Sequence, residues 1–346
     1  MNRLVRFGVA ASLLLLAVRG EAHKPITSKY TYNEDVFPIV NARCGKCHLP
    51  GGIAPMSLLT YKDAIPWAES MRLELTADHM PPWYAENDPH RLSPLELDTL
   101  LTWATGGTPE GPAKKLSATA NKSVWKLGKP DLLLPMPSTF TLGPDTMEAT
   151  HDVLLQNAPA SNRWIRAVDI APGTAAVVRD LTIYTKSAEA EKTVAFWLPG
   201  DEPSVAPANA GFLWPAGAEL HARIHYKKTW TYDGKSVSDR TSVGLYLLSR
   251  PPSHEMQAWN SAPHSAVLQH DVEVVAVRLD GGVADRMVDV GANEPAGSHV
   301  DLMHLLSRPE WNRWYKLPVP VKLAKGSRID IDGEPNIHAW LELVNQ

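Results

Sequence analysis

The chain is 346 residues long, carries a formal net charge of −4 and contains only two cysteines, Cys44 and Cys47. That length exceeds one ordinary domain, the charge gives no reason to expect a nucleic-acid or anionic-membrane partner, and the rest of the chain has no cysteine with which to build disulfides. Abundant proline (29), glycine (22) and tryptophan (12) suit short strands and turns with bulky core residues.

Arg3 and Arg6 precede an apolar stretch from Phe7 to Val18, and Gly20-Glu21-Ala22 follows with small residues at the places a signal peptidase reads. Residues 1–22 therefore read as a signal peptide, which predicts a periplasmic or otherwise exported protein. The apolar run is shorter than the roughly 20 residues of a membrane span, so no span is expected after cleavage. Retention of the segment as an anchor is the alternative.

Glu34 to Arg43, with apolar Val36, Phe37, Ile39, Val40 and Ala42, predicts a helix despite Pro38 inside it. Cys44-Gly45-Lys46-Cys47-His48 follows at once and is the most informative stretch of the chain. Two thiols at this spacing can add to the two vinyl groups of one haem, and the histidine after them becomes an axial ligand of the iron. Zinc would need two further ligands and no other cysteine exists; a thioredoxin-like pair would need a βαβ setting.

Gly51-Gly52 reads as a loop, and Tyr61 to Leu75 as a helix with Ala64, Trp67, Ala68, Met71 and Leu75 on one face. Ser93-Pro94-Leu95-Glu96 is a helix start, Leu97, Leu100, Leu101 and Ala104 form the apolar face, and Gly106-Gly107 ends it. Residues 30–108 thus read as a small all-α cytochrome c domain holding one covalent haem c. Met56, Met71, His79, Met80 and His90 are the candidates for the second axial ligand. Met80 is the choice, because Pro81-Pro82 place it on an extended loop. Met56 and Met71 suit packing; His79, or no protein ligand at all, is the alternative.

Residues 109–124 form a proline- and glycine-containing linker, and beyond it the pattern changes to strands. Arg163–Ile170, Ala175–Tyr184, Val272–Leu279, Trp314–Leu323 and Ser327–Ile331 are β-rich. Leu220, Ala222, Ile224 and Tyr226 alternate with His221, Arg223 and His225. Pro172-Gly173, Pro199-Gly200 and Pro215-Ala216-Gly217 supply turns. Two all-β sandwich modules are expected, 125–250 and 251–346, divided near Arg250-Pro251-Pro252.

Trp125-Lys126-Leu127-Gly128-Lys129-Pro130-Asp131, Ile170-Ala171-Pro172-Gly173, Trp197-Leu198-Pro199-Gly200, His225-Tyr226, Asp239 to Leu245, Trp311 to Tyr315 and Lys325-Gly326-Ser327 cover most of residues 125–332. On these stretches the chain resembles the copper type II, ascorbate-dependent monooxygenases, the group of peptidylglycine and dopamine hydroxylases. The resemblance implies a pair of jelly-roll-like sandwiches, and some bacterial relatives look like a cytochrome c domain fused to such a pair.

It also implies two copper sites, whose ligands this chain lacks. The family's first copper takes a His-His pair and the histidine of a His-Tyr pair; here Arg179-Asp180 stands at the pair and only His225 remains. The second takes His-x-His and a late methionine; here the strand reads Arg278-Leu279-Asp280 and no methionine follows Met303. A protonated arginine repels a copper ion, so copper is not expected. The sequence reads as an exported c-type cytochrome carrying single electrons to a redox protein partner, with a degenerate β module for docking or assembly. The alternative is a haem-linked copper monooxygenase that uses the cytochrome domain as its electron donor.

Overall fold

The structure, a computed structural model, describes residues 27–86, 88, 90–117, 124–261, 266–333 and 336–346. The expected signal peptide and part of the expected linker lie outside the described residues. The protein is β-rich, and its few short helices lie in residues 32–105 apart from one 3₁₀ turn at Trp230–Tyr232. Among the described residues no helix is long and apolar enough to cross a membrane.

Pro38 shapes the first helical segment. A wide π turn over Tyr32–Val36 leads into α1 (Phe37–Arg43), where Pro38 occupies the first turn. It follows closely on the π turn and donates no N–H to its carbonyls, which suits the wider winding just before it. Pro66 acts more strongly. The expected single helix is broken into α2 (Tyr61–Ala64), a 3₁₀ turn (Ile65–Trp67) and α3 (Ala68–Thr76), because a proline in the interior removes a donor and crowds the preceding turn.

α4 (Pro94–Thr105) has the expected capping box: Ser93 Oγ accepts from the Glu96 N–H at 3.2 Å, and the Ser93 N–H donates to Glu96 Oε2 at 2.7 Å. At its end Gly106 passes so close to Ser28 that an added Cβ would lie 2.5 Å from the Ser28 nitrogen. Tyr32, Phe37, Val40, Leu58, Leu100 and Trp103 form the core between these elements.

The β-rich body begins with β1 (Leu132–Pro135), β2 (Phe140–Leu142), β3 (Glu148–Gln156), β4 (Arg163–Ala171), β5 (Val178–Lys186) and β6 (Glu191–Trp197). Next come β7 (Ser204–Val205), β8 (Ala210–Trp214), β9 (Glu219–Lys227), β10 (Val237–Asp239) and β11 (Ser242–Leu247). β12 (His254–Asn260), β13 (Val272–Gly281), β14 (Arg286–Asn293), β15 (His299–Ser307), β16 (Tyr315–Leu323), β17 (Arg328–Asp332) and β18 (Ile337–Asn345) complete it.

One nine-stranded sheet runs through the whole body in the order β1-β11-β4-β8-β12-β18-β13-β16, with β7 on β4. The sheet β3-β9-β5-β6 packs on its first half around Ile165, Leu181, Ile183, Phe212 and Ile224. The sheet β15-β14-β17 packs on its second half around Val274, Val290, Leu305, Ile329 and Leu341. The layering is sandwich-like, with two cores on one shared sheet. The parallel pair β8–β12, with Ala210 opposite His254 and Phe212 opposite Met256, makes the junction. Pro251 and Pro252 cannot donate to a ladder, so pairing resumes only at His254.

On β9 the alternation is as expected. Leu220, Ala222, Ile224 and Tyr226 are buried, and His221, Arg223 and His225 face the other way.

Candidate haem site

α1 delivers the cysteine motif. The Cys44 N–H still bonds to the Val40 carbonyl at 2.9 Å, and the turn then tightens, with the Cys47 and His48 N–H groups both bonding to the Cys44 carbonyl at 3.1 and 2.9 Å. Gly45 is required at this bend, since a Cβ there would lie 2.8 Å from the Asn41 carbonyl oxygen. The two thiols border a mainly apolar cavity of about 500 Å³ whose walls include Ile53, Leu58, Trp67, Met71 and Leu100. That volume falls within the usual range for small-molecule sites.

Burial, reinforced by Cys47, pushes the Cys44 thiol up to about 12. Burial raises Cys47 to about 11, with Arg313 opposing. His48 lies on the same cavity, and burial lowers its pKa. Its Nδ1 faces the Met56 carbonyl oxygen at 3.3 Å; a carbonyl only accepts, so Nδ1 carries the proton and Nε2 keeps its lone pair. A neutral imidazole oriented through its other nitrogen is a metal ligand of the usual kind. Two thiols, an imidazole with a free Nε2 and apolar walls are the donor set that a covalently held haem requires.

The structure also brings Met80, Met56, Met71 and His90 to this cavity. Met80 is 36% exposed and follows α3 on a loop whose His79 and Met80 N–H groups bond to the Glu74 carbonyl at 2.9 and 3.3 Å. His79 turns to Glu74 instead, with Nδ1 3.1 Å from Oε2, and does not line the cavity.

The Met80 loop is tied to the β-rich body. Ala85 pairs with Leu305 of β15, the Glu86 N–H donates to the His304 carbonyl at 3.0 Å, and the Leu306 N–H donates to the Tyr84 carbonyl at 3.1 Å. Arg308 Nη2 donates to the Asp78 carbonyl at 2.8 Å. The Arg313 guanidinium covers the Trp83 ring at 4.5 Å and is paired with Asp201. Burial raises the Asp201 carboxyl, with Arg313 opposing.

On the cysteine side the Trp197-to-Asp201 turn lies over the motif. Cys47 Sγ is 3.8 Å from the Pro199 carbonyl oxygen, and Lys46 Nζ meets Glu202 at 2.7 Å and the Gly200 carbonyl at 3.3 Å. Arg179, Thr229, Trp311 and Arg313 complete the cavity wall. The Pro199-Gly200 turn and the Trp311-Asn312-Arg313-Trp314 cluster are evident in the sequence, but their place on the cysteine-bordered cavity is set by long-range packing.

The residues at the positions of the resembled copper ligands do something else. His225 does not line the cavity; its Nδ1 faces Asp180 Oδ2 and its Nε2 faces Glu148 Oε1, each at 2.7 Å. Arg278 is buried with its guanidinium 4.1 Å from the Phe196 ring centre and near Trp314 and Trp340, while Asp280 accepts from Trp340 Nε1 at 3.1 Å. Burial lowers the Arg278 pKa to about 10, with Asp280 opposing. Among the described residues no group of three or more histidine, cysteine, aspartate or glutamate side chains is arranged to hold a metal ion.

No family model matches the chain, and no curated protein matches it. Among solved structures it is similar to one described as the atomic structure of Sulfolobus Turreted Icosahedral Virus, at 10% identity over 68% of this chain and 99% of that chain, with a TM-score of 0.16. Another is A223, a turret protein of the same virus, at 8% identity over 62% of this chain and 97% of that chain, with a TM-score of 0.17. Overlap at such TM-scores carries no argument about fold or function.

Proposed function

We propose that this chain is an exported c-type cytochrome that carries single electrons. Cys44 and Cys47 would hold the porphyrin as thioethers, and His48 and Met80 would ligate the iron. Bound haem supplies one-electron chemistry at its iron, and a methionine ligand raises the potential. The chain's own part is to exclude water with apolar walls, orient His48 through the Met56 carbonyl, and hold the Met80 loop against β15. The β-rich body acts as a docking or assembly element toward a redox protein partner.

One observation carries this reading: both thiols, the imidazole and Met80 border a single apolar cavity. Metal analysis of the purified mature protein tests it, together with the reduced optical spectrum. One iron and no copper per chain, with a c-type spectrum, is expected. Two coppers per chain with oxygen uptake coupled to a hydroxylated product would establish the monooxygenase alternative instead.

A further inference from the structure

Arg179 is the extra residue of a β-bulge. Along β5, Val178 pairs with Tyr226 and Asp180 with His225, which leaves Arg179 outside the ladder. Bulges redirect a side chain out of strict alternation and are frequent beside functional sites. Here the redirected side chain lines the cysteine-bordered cavity while remaining only 9% exposed.

A buried guanidinium ordinarily has a counter-charge, because an unpaired buried charge is costly. Arg179 has none among the described residues. Its Nε is buried without a hydrogen-bond partner, and its guanidinium carbon lies over the Trp311 ring, 5.0 Å from the ring centre. The nearest acidic groups by their effect on it are Glu310, Asp180 and Glu148. Each is turned elsewhere: Glu310 to Lys227, and Asp180 and Glu148 to the two nitrogens of His225. Cys47, the other group that Arg179 influences, belongs to the haem-attachment motif.

We propose that Arg179 is the carboxylate-binding residue of this cavity, its guanidinium taking a propionate of the covalently held haem while Trp311 supports the guanidinium plane. The inference rests on the cytochrome reading above. The chemistry matches: a planar guanidinium offers parallel N–H donors that suit a carboxylate, and such charge-assisted pairs are among the stronger hydrogen bonds. The β-rich body would then bind the haem as well as cover it. An arginine standing where the resembled family has a copper histidine would have a use in place of the lost one.

The test uses the full-length mature protein with its haem, as wild type, Arg179→Gln and Arg179→Lys. Resonance Raman spectroscopy reads the propionate-bending mode, and protein-film voltammetry reads the reduction potential. In Arg179→Gln the mode should shift and the potential should fall, because an uncompensated propionate charge favours ferric iron. Arg179→Lys should keep most of the potential, since it keeps the charge, yet shift the mode, since it loses the fork.

A mode unchanged in both variants overturns the inference even if the potential moves, because the arginine would then act only as a distant charge. If the glutamine variant does not fold, the mode in Arg179→Lys decides alone. Covalent haem with an unaltered mode leaves the cytochrome reading standing and removes this inference; a wild-type chain without covalent haem removes both.

Discussion

Ala85 and Leu305 pair across the boundary between the helical segment and the β-rich body, and the pairing places Ala85, 1% exposed, in the second β core. Met80 stands five positions earlier on the same loop. A core of the β-rich body thereby holds the segment that carries the proposed sixth ligand.

That arrangement predicts a ligation defect from a change remote from the iron. Ala85→Asp puts a carboxylate beside Leu305 in the core that also holds Val288 and Val290, at a cost of about 2–5 kcal/mol. The weak near-infrared sulfur-to-iron band of the ferric protein should be lost or reduced, while acid-acetone still leaves haem on the chain. A band of wild-type intensity in a destabilised Ala85→Asp protein would show that the loop is held by the helical segment alone.

Met80→Ala should abolish the same band, whereas Met56→Ala should preserve it, since the Met56 carbonyl that orients His48 belongs to the backbone. Ferric spectra of the two variants check this, and a band surviving the loss of Met80 would move the ligand to Met71, Met56 or a residue elsewhere.

Haem attachment itself should be covalent. Cys47→Ala removes one thioether and should reduce the haem retained after acid-acetone extraction; free extraction from the unaltered protein would refute the attachment.

Asp239 organises a buried knot in the first core. Its Oδ2 accepts from Tyr226 Oη at 2.8 Å and from the Thr241 N–H and Oγ1 at 3.0 and 2.8 Å, and its Oδ1 accepts from the Thr174 N–H at 2.7 Å. Asp239→Ala leaves these donors unsatisfied, for a loss of about 2–4 kcal/mol. Denaturant unfolding measures it, and a loss under 1 kcal/mol (roughly one net hydrogen bond) would mean that water replaces the carboxylate.

Glu342 on β18 titrates in the opposite sense to an ion-paired carboxylate. Burial raises its pKa to about 7, with Lys316 only partly opposing. The folded state therefore binds the proton more tightly than the unfolded chain, so stability falls as pH rises from the ordinary glutamate range to about 7 and levels off above it. Glu342→Gln should be near neutral at acid pH and stabilise by roughly 1–3 kcal/mol above pH 7. Thermal unfolding across that window is the check, and equal shifts at both ends would assign the effect to packing.

The Cys-x-x-Cys-His stretch on which the haem proposal rests was visible because its pattern is contiguous: two thiols and an imidazole within Cys44–His48 need no tertiary contact to be noticed. The capped helix Pro94–Thr105 and the alternation on β9 were legible for the same reason, since capping and side-chain periodicity are local. Tertiary structure decided the rest. One sheet spans both expected modules because β8 and β12 pair in parallel, a long-range choice that strand propensity does not encode. The cavity wall draws on Gly200, Trp311 and Arg313, far from the cysteines in sequence. Arg179 reaches it only because a bulge breaks the two-residue period on which the strand reading relied.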